Sequence, residues 1–332
     1  MSTFSTITTT TKLAALLLLG LGTGACETTI DLPEPAHTPK VALQYVLSNY
    51  ADQGPNDEVS LTRQLYVSNS QRVFDTRELN GRTDAKVDIR DESGTVVERF
   101  KESSSAYQGG YYEPTMGLKA QPGRTYTLRA TVPGLPAVES TVTLPAAPII
   151  ESATFTEKPN PNNVYDTRGQ LSVTIADDPN TDNYYIAFAR IVDSQGNVPD
   201  NWSPVQIDEE NSDVSLEVGR FQLSNLGGFS GYGYGFYPYA DTNVNGKRFS
   251  LTSNVRFYAG YCPTPGNCPK PGYMEVFISA LTRDAYNFYL SRQRYNDTEG
   301  NPFAEPAPLV SNIKGGYGLF GGITDAVYRI KL

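Results

Sequence analysis

The chain has 332 residues, 39% of them hydrophobic and 11% aromatic, which suits cores for about two domains at roughly 150 residues each and excludes general disorder. A formal charge of −9 excludes nucleic acid as a partner, because phosphate binding needs clustered Lys and Arg. With 1 His, 1 Trp and 3 Cys, most catalytic arrangements lack their reactive side chains.

Residues 1–25 read as a signal peptide: Lys12, an apolar run from Leu13 to Leu21, then small residues up to Cys26. The run is shorter than the ~20 apolar residues a transmembrane helix needs. Cleavage behind Gly24 and Ala25 would leave Cys26 with a thiol able to carry a diacylglycerol group, although Thr23 stands where such signals usually have Leu. The expected membrane contact is therefore lipid on Cys26, and several acyl chains at one residue anchor firmly where a single one does not. Loss of Lys12 with the signal makes the mature chain more acidic still, so charge does not hold it to a membrane.

Residues 26–39 are polar and proline-rich and read as a tether. They contain His37, the only histidine, and a flexible linker cannot hold a base rigidly against a nucleophile. From Val41 the pattern changes to short segments that alternate apolar and polar residues. VALQYVLS, EVSLTRQLYV, AKVDIRD, TVVERF, RTYTLRAT and AVESTVTL are separated by turn signals such as Asn80-Gly81 and Pro133-Gly134. This predicts an immunoglobulin-like β-sandwich over residues 40–145, with Tyr126 as a tyrosine corner. A connector from Pro145 to Pro148 leads into a larger C-terminal β domain, residues 149–332. There QLSVTIAD, NYYIAFARIVD, VSLEVGRFQL, KRFSLTSNVRFYAG and GYMEVFISAL read as strands, and Asn245-Gly246 as a hairpin turn. One helix is expected over Arg283 to Arg294, capped by Thr282, as a lid on the sheet. The fold class is all-β.

Cys262 and Cys268 enclose a Pro-Thr-Pro-Gly-Asn turn. In an oxidising envelope they are expected to pair, contributing about 2 kcal/mol by loop closure. Their spacing is too wide for a zinc half-site, and no further Cys or His stands nearby. No cofactor is implied. The acidic pairs Asp177-Asp178 and Asp208-Glu209-Glu210 could serve glycoside hydrolysis, but their polar, turn-rich surroundings favour solvated loops. Asp241, Asn243, Asn245 and Gly246 match the first half of a calcium loop, yet Thr252 occupies the position of the bidentate Glu. The run Asp178, Asn180, Asp182 fails in the same way at Asn183 and Ala189, so no metal site is assigned. Gly316 to Gly321 spells a dinucleotide fingerprint, but too little chain follows for the parallel strand it requires. The segment from Gly227 to Tyr239 is the most unusual. Its rings Phe229, Tyr232, Tyr234, Phe236, Tyr237 and Tyr239 either form a surface for a partner or ligand, or fold back on the sandwich.

Asn301-Pro302-Phe303-Ala304-Glu305-Pro306, followed by Ser311-Asn312-Ile313-Lys314-Gly315-Gly316-Tyr317-Gly318-Leu319-Phe320-Gly321, resembles the C-terminal signature of the Bacteroidota lipoprotein family called domain of unknown function 4249. Asp182-Asn183-Tyr184-Tyr185, the Asp241 to Lys247 turn and the residues after Cys26 resemble other parts of it. The resemblance implies an outer-membrane lipoprotein beside a TonB-dependent transporter, and it carries no catalytic residue. The expectation is thus a non-enzymatic accessory or binding component of the outer membrane. The alternative is a secreted carbohydrate-active or carbohydrate-binding protein using the aromatic patch and an acidic pair.

Overall fold

A computed structural model describes residues 36–50, 57–72, 75, 81–104, 109–159, 166–199, 202–208, 221–226, 235–259, 270–298 and 307–332. Residues 38–71 and 76–332 form one compact unit, the body of the protein. Among the described residues no helix is long and apolar enough to cross a membrane. His37 stands in irregular chain shortly before the first strand.

The first half of the body follows the alternating pattern closely. Strand β1 (Val41–Ser48) pairs antiparallel with β2 (Leu65–Asn69). The expected single strand over EVSLTRQLYV is instead a helical turn, α1 (Glu58–Leu61), followed by β2. The Asp57 carboxylate explains the turn, accepting the Val59 N–H at 3.2 Å and the Ser60 hydroxyl at 3.0 Å, as an N-cap does. Then come β3 (Lys86–Arg90), β4 (Val96–Glu102), β5 (Tyr111–Pro114), β6 (Thr125–Thr131) and β7 (Val138–Thr143). Strand β4 changes partners midway: Val96, Glu98 and Arg99 pair with β3, and Phe100, Lys101 and Glu102 with β5. That switch turns one sheet back over itself, enclosing Leu43, Val67, Val87, Ile89, Leu128 and Val142. At the switch Glu98, 1% exposed, accepts the backbone N–H groups of Arg99, Thr115, Met116 and Leu118. Tyr126 behaves as a corner residue: it is buried, and its hydroxyl accepts the Gln121 N–H at 3.0 Å.

The second half contributes β8 (Ile149–Lys158), β9 (Asp166–Ala176), β10 (Tyr184–Val192), β11 (Gln206–Ile207), β12 (Tyr239–Ala240), β13 (Arg248–Tyr258), β14 (Tyr273–Leu281), the helix α2 (Arg283–Thr298) and β15 (Tyr317–Lys331). Strands β11-β13-β9-β8 make a 4-stranded sheet, and the remaining strands join an 11-stranded sheet in the order β12-β10-β14-β15-β1-β2-β5-β4-β3-β6-β7. Strands β10 and β14 are almost wholly buried because both faces are covered. Tyr185, Ala187, Ala189 and Ile191 meet the core shared with the smaller sheet. Ile186 and Phe188 meet Ala285, Phe288 and Tyr289 of α2 on the other face. The helix thus covers the sheet as its periodicity predicts, with Thr282 Oγ1 accepting the Ala285 N–H at 3.4 Å.

The connector at 145–148 stands between two cores. Strand β15 pairs antiparallel with β14 and parallel with β1, so one continuous sheet runs through both. Gly318 makes that junction: its φ is +108°, and a Cβ there would run into the Leu43 carbonyl oxygen. Against the sequence expectation, Asn245-Gly246 does not close a hairpin. Strand β12 pairs with β10 and β13 with β9, so the turn carries the chain between sheets through a 3₁₀ turn at Asp241–Asn243.

Candidate functional site

Of the residues singled out from the sequence, Cys26, Cys262, Cys268, Phe229, Tyr232 and Tyr234 lie outside the described residues. The rest of the aromatic segment does not form one surface. Phe236 is 8% exposed and packs edge-on to Phe188 at 5.9 Å and against Tyr289 at 4.9 Å, in the core beneath α2. Of the two readings of the segment, Phe236 takes the second and leaves the candidate binding surface: its ring folds back into the core. Tyr239 is half-buried on the opposite face of β10, beside Phe221 at 5.3 Å and Phe249 at 5.7 Å. Tyr237 lies between them, half-buried, its N–H donating to Ser224 Oγ at 2.9 Å.

The acidic candidates are held in hydrogen-bond and ionic contacts. Asp177 accepts the Tyr185 hydroxyl at 2.6 Å and the Gly246 N–H at 2.8 Å. Asp208 is 2% exposed and lies 3.5 Å from the Arg168 guanidinium. Glu209 and Glu210 lie outside the described residues. Asp241 accepts the Asn183 N–H at 2.9 Å. Burial raises the Asp241 carboxyl above its ordinary value, against the lowering effect of that bond. No cluster of His, Cys, Asp and Glu among the described residues could hold a metal ion.

Among the described residues, a buried concentration of charge stands out that was not anticipated from sequence. Arg190 on β10 and Glu275 on β14 face each other across the sheet, with Arg190 Nε donating to Glu275 Oε2 at 2.8 Å. Arg190 Nη1 donates to Asp57 Oδ1 at 2.8 Å, and Arg329 on β15 reaches the second Glu275 oxygen at 2.6 Å. Beside this group Arg63 grips Asp325 of β15 with two parallel bonds of 2.6 and 2.7 Å, and the Ser279 hydroxyl adds a third at 2.6 Å. The Tyr50 ring bridges the groups, with Arg63 and Arg190 5.7 and 5.8 Å from its centroid and Phe277 edge-on at 5.6 Å. Burial opposes the charge on Arg63, but the Asp325 carboxylate more than offsets it, leaving the guanidinium above its ordinary value. Burial pushes the Tyr50 phenol well up as well.

Chemically the cluster sets the cations Arg63, Arg190 and Arg329 against the carboxylates Asp57, Glu275 and Asp325, buried except at Arg329. It clips the segment carrying Asp57 and Arg63 onto three strands of the large sheet. A charged residue inside an otherwise apolar strand was the signal for it: Arg190 interrupts YYIAFARIV and Glu275 interrupts YMEVFISAL. Neither residue can be buried alone, and each required a partner that no local pattern identifies.

A family model described as "Domain of unknown function (DUF4249)" matches residues 28–329. None of the curated proteins compared matches the chain.

Proposed function

From the premise that the chain belongs to the DUF4249 family, we propose that it is a non-enzymatic accessory or binding component, anchored to the outer membrane by lipid on Cys26 and acting beside a TonB-dependent transporter. Cys26 at the end of a signal-like segment carries the reading: a polar, proline-rich stretch separates it from the first strand at Val41. The buried carboxylates Asp57, Glu275 and Asp325 are tied to arginines, and Glu98 to backbone N–H groups, so they serve to hold strands together.

The test is expression of the full chain with its signal and of Cys26→Ser. The reading expects the native chain in the membrane fraction with acyl mass on its N-terminal cysteine, and the variant released. Crosslinking of the native chain in membranes is expected to recover an outer-membrane transporter. An unacylated, soluble native chain would overturn the anchoring, and crosslinks to no transporter would overturn the partnership.

A further inference from the structure

We propose that the free edge of β7 is a docking site for an extended, basic polypeptide segment, which adds to the large sheet as one more strand. β7 is the last strand of the 11-stranded sheet, and its far side is only partly covered. Glu139 exchanges two backbone bonds with Lys314 on that side, at 3.4 and 2.9 Å. Strand alternation then points the N–H and C=O groups of Thr141 and Thr143 the same way, away from β6. The hydroxyl contacts agree. Thr143 meets Thr125 at 2.8 Å and Thr141 meets Thr127 at 3.0 Å, the close side-chain approach of cross-strand pairs that do not bond to each other through the backbone. Among the described residues no backbone bond continues the edge beyond Glu139.

The open edge faces a groove of about 400 Å³. Thr141, Thr143 and Pro145 form one wall, and Asp182, Tyr184, Arg283 and Asp284 belong to its other side. Pro145 has no N–H and ends the edge, so the groove suits a short strand. Its backbone donors and acceptors would satisfy those of Thr141 and Thr143, the arrangement used in strand addition. Charge selects the occupant. Asp182, Arg283 and Asp284 are all exposed, giving two carboxylates to one guanidinium at the groove of a chain with formal charge −9. The cap of α2 is already filled, because Thr282 Oγ1 accepts the N–H groups of Ala285 and Gly322, which leaves little to attract an anion. The site goes beyond membrane anchoring and needs no lipid on Cys26.

The test uses the full chain in detergent and the probe acetyl-Lys-Val-Lys-Val-Lys-amide, with a version N-methylated at alternate amides. The probe is expected to bind and to slow amide exchange in the 138–144 segment. Thr143→Pro removes an outward N–H without touching the ladder to β6. Thr143→Pro should weaken binding about tenfold, the cost of about one backbone hydrogen bond, and the N-methylated probe, which loses more than one donor, by at least as much. Asp182→Asn with Asp284→Asn should weaken it in low salt only. If Thr143→Pro does not fold, the N-methylated probe decides alone. Absence of binding at millimolar probe, or equal binding of both probes, would overturn the proposal. Exchange in 138–144 that slows with protein concentration alone would also overturn it, assigning the edge to a second copy of this chain.

Discussion

Replacing Asp325 by Ala removes the carboxylate that accepts two bonds from Arg63 and one from Ser279, while keeping the backbone bonds between residue 325 and Asn49. The Arg63 side chain is 6% exposed and the Asp325 side chain 2%, so solvent does not take the place of the lost partner. Stranding a buried charge in this way costs about 3–5 kcal/mol, a large share of the roughly 5–15 kcal/mol that holds a protein folded. The paired replacement Arg63→Met with Asp325→Leu removes both charges and keeps apolar volume, and it should cost far less than Asp325→Ala alone. Urea unfolding of the native chain, Asp325→Ala, the cycle singles Arg63→Met and Asp325→Leu, and their double variant measures the coupling, with unchanged slopes confirming that only stability has moved. A loss under about 1 kcal/mol for Asp325→Ala, or a double variant whose loss equals the sum of the singles, would refute the view of a tightly coupled buried pair.

Four further outcomes follow from local geometry. Gly318→Ala runs into a backbone oxygen and should prevent the β1–β15 junction from forming, visible as loss of soluble folded protein. Gly94→Ala, with φ +82° but open space, should cost only about 1–2 kcal/mol in the same urea assay. Tyr126→Phe deletes the acceptor of the Gln121 N–H and should cost about 1 kcal/mol without changing the circular dichroism spectrum. Burial raises the folded-state Asp241 carboxyl above 3.8, so its contribution to stability is full below that pH and is lost as pH rises through the folded value. Asp241→Asn should therefore gain stability relative to the native chain as pH increases across this window. Parallel urea midpoints for the two proteins would contradict the assignment.

The strands of the first half were legible because each has one face in the core and one in water: VESTVT reads as buried and exposed in strict alternation, and it is so. Helix α2 was legible from Thr282, Ala285, Phe288 and Tyr289. What sequence could not supply was partnership across long separations. Nothing near Tyr317 indicates that it aligns with Ala42, and nothing near Arg63 indicates Asp325. The Asn245-Gly246 signal misled because a hairpin needs both flanking strands in one sheet, and here tertiary pairing sent them to different ones. The aromatic segment left two readings open at Phe236 for a related reason. Composition marks a ring as available for contact but does not say whether the contact is with a partner or with Phe188.

The parallel pairing of β1 with β15 also bears on how the body is made. Among the described strands, the one that sits between β14 and β1 follows all the others in chain order, so the middle of the large sheet stays open until β15 has joined it. Contacts that join the first strand to the last impose a long loop closure and slow the final step. The strands β3, β4, β6 and β7 can pair among themselves earlier, but the exposed edges of β1 and β14 wait for the same missing piece. A sheet built this way closes at its centre last.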